Sequence, residues 1–153
     1  SVIGRDLSKI FEIDFFDTDN EIERETGESI NSIFETSGES YFRKIEERIC
    51  LKILKLDNCI ISLGGGSIIS SKIREAIKEN SYSIYLKVDK NILVNRLKNS
   101  KKRPLLKNLD KKNVLDELYN KRKFFYNNSD LIIENNNDKK EVIKKILTKI
   151  KNL

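Results

Sequence analysis

Four short apolar runs, at residues 13–16, 59–63, 83–88 and 131–133, alternate with longer stretches whose apolar residues recur every three or four positions. A short run of strand-forming residues without polar alternation is a strand covered on both faces, and strands that alternate with helices connect in parallel. The pattern dictates an α/β fold, a parallel sheet flanked by helices on both faces. It also says where function belongs, because in open parallel sheets ligands bind beyond the carboxyl ends of the strands. Asp17 and Asp19 follow the first run, Gly64, Gly65 and Gly66 follow the second, and Val88 closes the third. One sheet edge is expected to gather them.

The helical stretches fill in the rest. Val2, Ile3, Leu7 and Ile10 follow a helical spacing, so the chain opens inside a helix. Residues from about 19 to 56 carry helical patterns broken at Gly27 and Gly38, two expected helix stops. Further helices are expected to start near Ser70 or Ser71, to run from an Asp89 cap through Leu97, and to cover about 110–126. A last helix covers about 138–151, with Val142, Ile143, Ile146 and Ile150 on one face. Residues 99–110, polar and basic around the only proline, Pro104, read as a loop. No repeat, linker or shift of composition divides the chain, so residues 1–153 are read as a single domain.

Composition excludes several kinds of chemistry. There is no histidine and there are only two cysteines, Cys50 and Cys59, so zinc sites and serine–histidine triads are ruled out and no disulfide framework is expected. Cys59, inside an apolar run, is read as a buried thiol. No apolar run approaches the roughly 20 residues that span a bilayer, and no secretory or transit segment opens the chain, so a cytoplasmic protein without membrane contact is expected. The formal charge of +6 follows from lysines spread through the sequence, without the interleaved aromatic residues of a single-strand platform, so nucleic acid is not an expected partner. The chain contains no methionine, so residues are expected ahead of Ser1.

Several residues could carry chemistry, and each also has an ordinary explanation. Ser1 fits a helix N-cap, and Asp17-Thr18-Asp19 could simply cap the next helix. Arg43, with Glu46 three residues on and Glu47 four residues on, could form a surface ion pair; its planar fork would equally suit a carboxylate. Gly64-Gly65-Gly66 could be a tight turn or a place where backbone N–H groups approach a ligand. Arg96, Arg103 and Arg122, the last within Lys121-Arg122-Lys123, could all be solvated charge.

Taken in order, Ser1 to Arg5, Asp17-Thr18-Asp19, Ile33-Phe34-Glu35 with Gly38-Glu39, Phe42-Arg43 with Glu46, Leu63 to Gly66, Tyr85-Leu86, Arg103-Pro104-Leu105-Leu106 and Arg122 with Tyr126 resemble the shikimate kinases in order and approximate spacing. The resemblance implies a five-stranded P-loop kinase sheet of the nucleoside-monophosphate-kinase type, whose first strand and glycine–lysine loop would lie directly before Ser1. It implies transfer of the γ-phosphate of ATP to the 3-hydroxyl of shikimate, a step toward chorismate and the aromatic amino acids, with Mg2+ required.

The resemblance also distributes roles. Ser1 and Asp17 would support the magnesium ion. Asp19 would hold the attacking hydroxyl and take its proton, as a phosphoryl transfer with little covalent work demands. Arg43, oriented by Glu46, would grip the substrate carboxylate together with Arg122, and Gly64, Gly65 and Gly66 would line the shikimate pocket. Arg103 would reach the transferred phosphate from a mobile lid at about 98–110, and Arg96 would pack on adenine. The family usually has proline two residues after the second of these carboxylate-binding arginines, where Phe124 stands here, which leaves that helix end open. A monomer is expected. Because the family's first strand is central, residues 1–153 alone are not expected to fold as an active enzyme. A related small-molecule kinase, such as one acting on gluconate or a nucleoside monophosphate, and a degenerate binding module are the alternatives.

Overall fold

The computed structural model describes residues 1–93, 111–136 and 138–151; Arg96, Arg103 and the 98–110 segment lie outside them. Contacts divide the chain into two compact units, Ser1–Tyr82 and Ser83–Leu153.

The first unit runs α1 (Val2–Phe11), β1 (Asp14–Asp17), α2 (Thr18–Thr26), α3 (Ile30–Ile53), β2 (Cys59–Ser62), a 3-10 turn (Ser67–Ile69) and α4 (Ser71–Asn80). Strands β1 and β2 pair in parallel, with Asp14 opposite Cys59 and Asp17 opposite Ser62. This register places the exits of both strands at the same level. Helix α1 lies close against the pair: a Cβ on Gly4 would stand 2.7 Å from Ser62 Oγ and 2.9 Å from the Phe15 ring, so only glycine permits this approach. Of the four apolar positions expected on the inner face of α1, Ile3 and Leu7 are buried, while Val2 and Ile10 are exposed at 59% and 50%. The buried stripe is the narrow i, i+4 pair that faces the strands.

Gly27 ends α2 in the left-handed region at φ 71°, as a stop requires. Gly38, at φ 80°, is also the expected break: it leaves the helical path and divides Ile30–Ile53 into two helices joined at a kink. Ile22, Ile33, Phe42, Ile45, Ile49 and Ile53 form the main core, with Phe16 and Ile61 of the strands packed against it. Each such aliphatic side chain contributes about 1.5–3 kcal/mol by leaving water. Cys50, Leu54 and Ile73 form a second cluster toward α4. Cys50, not Cys59, is the fully buried thiol; Cys59 is half-buried at the outer end of β2.

In the second unit, β3 (Ile84–Lys87) pairs in parallel with β4 (Leu131–Glu134), Ile84 opposite Leu131. The strands thus form two parallel pairs among the described residues, each in its own unit. Both pairs are parallel, and helices connect their strands, in keeping with the α/β class expected from the sequence. A helix opens at Lys90, where Leu93 N–H bonds Asp89 carbonyl. Helix α5 (Lys111–Tyr126) continues past Phe124 to Tyr126, so the missing proline does not shorten it. Helix α6 (Lys139–Ile150) buries Val142 and Ile146 completely, and Ile133 of β4 is also buried.

Candidate active site

The exits of β1 and β2 meet in a cluster of polar groups. Asp17 ends β1 and is the N-cap of α2; its Oδ1 accepts the backbone N–H groups of Asp19 (3.1 Å) and Asn20 (3.3 Å). That is the ordinary capping role. Its other oxygen, Oδ2, accepts the hydroxyl of Ser1. Ser1 occupies the N-cap position of α1, yet its side chain makes no cap bond. The hydroxyl is committed to Asp17 instead, so one carboxylate serves the helix with one oxygen and faces Ser1 with the other.

Thr18, between the two aspartates, is fully buried. Its Oγ1 accepts the backbone N–H of Gly64 at 2.9 Å, tying the loop after β2 to the start of α2 across 46 residues. The effect is to bring Asp19 onto the glycines: a Cβ on Gly64 would stand 2.9 Å from Asp19 Oδ1 and 3.2 Å from Glu46 Oε1.

Arg43 comes from the opposite side, on α3. Its Nη1 donates to Glu46 Oε2 at 2.7 Å and its Nη2 lies 3.3 Å from Glu39 Oε1. Burial alone would push the guanidinium pKa down, but the charge of Glu46, its hydrogen bond and the more distant Glu39 raise it above its ordinary value. The arginine remains a cation, with 27% of its side chain accessible. Its guanidinium lies directly against Gly66, where any Cβ would overlap Nη1, Nη2 and Cζ. Asp19, Arg43, Gly64 and Gly66 therefore lie close around one small region.

One expectation changes in detail. Glu47 is not a partner of Arg43; it accepts from Ser70 Oγ at 2.7 Å and pairs with Lys72 at 3.1 Å, securing the start of α4. Glu39, one turn before Arg43, supplies the second carboxylate. Beneath the cluster lie Ser67, whose Oγ donates to Glu46 Oε1 at 2.8 Å, and Cys50. Burial, reinforced by the charges of Glu46 and Asp19 against hydrogen bonds to Ser67 and Thr18, pushes the Cys50 thiol up to about 12. It stays protonated and is not a nucleophile. Thr18 and Ser67 were not singled out from the sequence, since a threonine in a strand exit and a serine after glycines look like capping residues.

Arg122 belongs to the second unit, on α5, half-buried between exposed Lys121 and Lys123, unlike a solvated charge. Among the described residues no three His, Cys, Asp or Glu side chains form a metal-binding group, and no helix is long and apolar enough to cross a membrane.

Parallel strands with helices between them, and a hydroxyl and two carboxylates at the strand exits, are the layout of an α/β protein that binds its ligand at the carboxyl ends of its strands. The family model described as shikimate kinase matches residues 1–151. The shikimate kinase of Mesorhizobium japonicum is 35% identical over 143 residues, 94% of this chain and 70% of that protein. That of Xylella fastidiosa is 37% identical over 126 residues, 82% of this chain and 70% of its own length. The structure of a shikimate kinase from Acinetobacter baumannii in complex with shikimate superposes with a TM-score of 0.94 at 31% identity, covering 99% of this chain and 86% of that one. The Aquifex aeolicus shikimate kinase gives 0.86 at 31% identity, covering 99% and 89%. The chain belongs to the shikimate kinase family, and its activity is that family's ATP-dependent phosphotransfer to an alcohol group of shikimate.

Proposed function

We propose that this activity runs through the cluster at the exits of β1 and β2, with Asp19 as the group that accepts the shikimate 3-hydroxyl and Arg43 as the cation that receives its carboxylate. The observation that carries this reading is the convergence of Asp19, Arg43, Gly64 and Gly66, four residues from three separate segments, where the side chains of Asp19 and Arg43 close directly onto the bare backbone of the two glycines. Shikimate offers a hydroxyl to be phosphorylated and a planar carboxylate across a small ring. A carboxylate and a guanidinium either side of bare backbone match that pattern. Arg43 keeps donors for a substrate because Glu46 and Glu39 each take one N–H from a terminal nitrogen that carries two. In the second unit, Arg122 is the further candidate for the same carboxylate.

Ser1 and Asp17 fit a magnesium ion in kind: both present oxygen, the hard donor the ion prefers, and both meet at the N-terminus of α1. Magnesium usually takes one or two protein oxygens and completes its shell from water and phosphate, so a small donor set is sufficient. When bound it would supply positive charge against the transferring phosphoryl group. The chain's own contribution is to hold Asp17 in place through the α2 cap and to aim Asp19 at the acceptor. Arg103 as the phosphate-reaching residue and Arg96 as the adenine contact remain part of this reading on the family resemblance, with residues 98–110 as the lid. Because the family model spans residues 1–151, we treat the two units as parts of one kinase domain. The same reading places the reaction on the route to chorismate and the aromatic amino acids, in a cytoplasmic monomer.

The test is ADP release measured on the full-length protein with shikimate, gluconate and nucleoside monophosphates as alternative acceptors. Turnover confined to shikimate and dependent on Mg2+ is the expected result. Turnover with another acceptor alone, or with none, overturns the reading.

A further inference from the structure

Glu46 is only 2% exposed, and a carboxylate so deeply buried has to be satisfied at both oxygens or it costs several kcal/mol. Arg43 satisfies Oε2. A second partner is the hydroxyl of Ser67, 1% exposed, which donates to Oε1 at 2.8 Å. That hydroxyl is constrained in turn, because the buried thiol of Cys50 donates to Ser67 Oγ at 3.9 Å and leaves its proton for Glu46. Ser67 stands immediately after Gly66, the residue on which the Arg43 guanidinium rests. One short segment therefore presses on both members of the ion pair, on the arginine through bare backbone and on the glutamate through a hydroxyl.

We propose that Ser67 is a positioning residue for acceptor binding: by holding Glu46 Oε1 it fixes the carboxylate plane, and through it the direction in which Arg43 presents its donors to the substrate carboxylate. Ser67 itself does not touch the substrate. The proposal rests on the reading of Arg43 as the carboxylate-binding residue. Without the hydroxyl, Glu46 keeps its bond to Arg43 but loses the contact that fixes Oε1, so the carboxylate can rotate and the donors turn with it. Binding of the acceptor suffers, while the nucleotide and the chemical step do not.

The experiment is a double-mutant cycle on the full-length protein with Ser67→Ala, Arg43→Ala and the pair, reading KM for shikimate, KM for ATP and kcat. Loss of one buried hydrogen bond acting through a second residue should raise the shikimate KM about 3- to 10-fold, with kcat and the ATP KM within about twofold. In the Arg43→Ala background, Ser67→Ala should add nothing. Ser67→Cys, close in volume with a weaker donor, should fall between serine and alanine, and serves as the test if the alanine variant does not fold. An unchanged shikimate KM in Ser67→Ala, with Arg43→Ala strongly impaired, overturns the proposal and leaves the Arg43 reading intact. An equal effect of Ser67→Ala with and without Arg43 also overturns it, since the role would then be structural. If Arg43→Ala leaves shikimate binding untouched, the carboxylate reading fails and the proposal falls with it.

Discussion

The two halves of the chain use polar side chains differently. In the first unit a buried set of them converges on the strand exits: Thr18 on Gly64, Ser67 on Glu46, Glu46 on Arg43. In the second unit they lie at the surface and staple one strand pair at both ends. Asp130 accepts from the N–H and hydroxyl of Ser83 at 2.7 and 2.6 Å below β3, and Asn136 exchanges two hydrogen bonds with Asp89 above it. Between them, Tyr85 and Tyr126 stack at 4.8 Å. A buried polar network is costly unless it is complete, so its presence marks a place where geometry matters more than stability. The exposed staples bring register and little else.

The comparison can be broken most sharply at Asp19. Asp19→Asn should lower kcat about 10²–10⁴-fold with ATP binding retained in a calorimetric titration; ordinary turnover would remove Asp19 from the chemistry. Next comes Arg43→Ala, expected to raise the shikimate KM about 10- to 100-fold while leaving the ATP KM alone, as loss of a charge-assisted hydrogen bond does. Equal loss of both substrates would argue against carboxylate binding.

Gly66→Ala should be milder, because the methyl group displaces only the flexible end of Arg43. A rise of about 3- to 10-fold in shikimate KM is expected, with thermal midpoint close to that of the parent. A collapse in stability with unchanged KM would make the glycine merely structural.

The smallest effect belongs to the second unit. Hydrogen bonds from the Ser83 side chain and backbone hold the Asp130 carboxyl below its ordinary value. A carboxyl with a lowered folded pKa contributes stability above its unfolded pKa, near 3.9, and loses it as pH falls through the folded value. Asp130→Asn should therefore flatten the acid limb of the stability curve below about pH 4 without changing shikimate KM. An unchanged acid limb would show the staple to be energetically idle.

Much of this arrangement was legible in the sequence. The apolar runs located all four described strands to within a residue or two, and Gly27 and Ser70 marked a helix end and a helix start in the expected places. Asp17, Asp19 and the three glycines were legible as candidates from their placement after strands, and Arg43 from the order of motifs that resembles the shikimate kinases. What escaped were the residues whose importance lies in a distant partner. Thr18 and Ser67 are small hydroxyl side chains beside glycine or aspartate, and nothing local distinguishes them from caps. Glu39 and Glu47 lie four residues on either side of Arg43, equally able to pair with it by spacing.

The order of elements and the kinds of group at the strand exits were set by local chemistry: apolar period, β-branched runs, and glycines where a Cβ would collide. That Asp17 divides its oxygens between a helix cap and Ser1, and that Thr18 and Ser67 reach Gly64 and Glu46, were decided only by the tertiary packing, whereas Arg43 shares one helix with its carboxylates Glu46 and Glu39. Hydrogen bonds between residues 16 to 46 positions apart have no local signature, since they form when packing has already fixed which backbone faces which side chain.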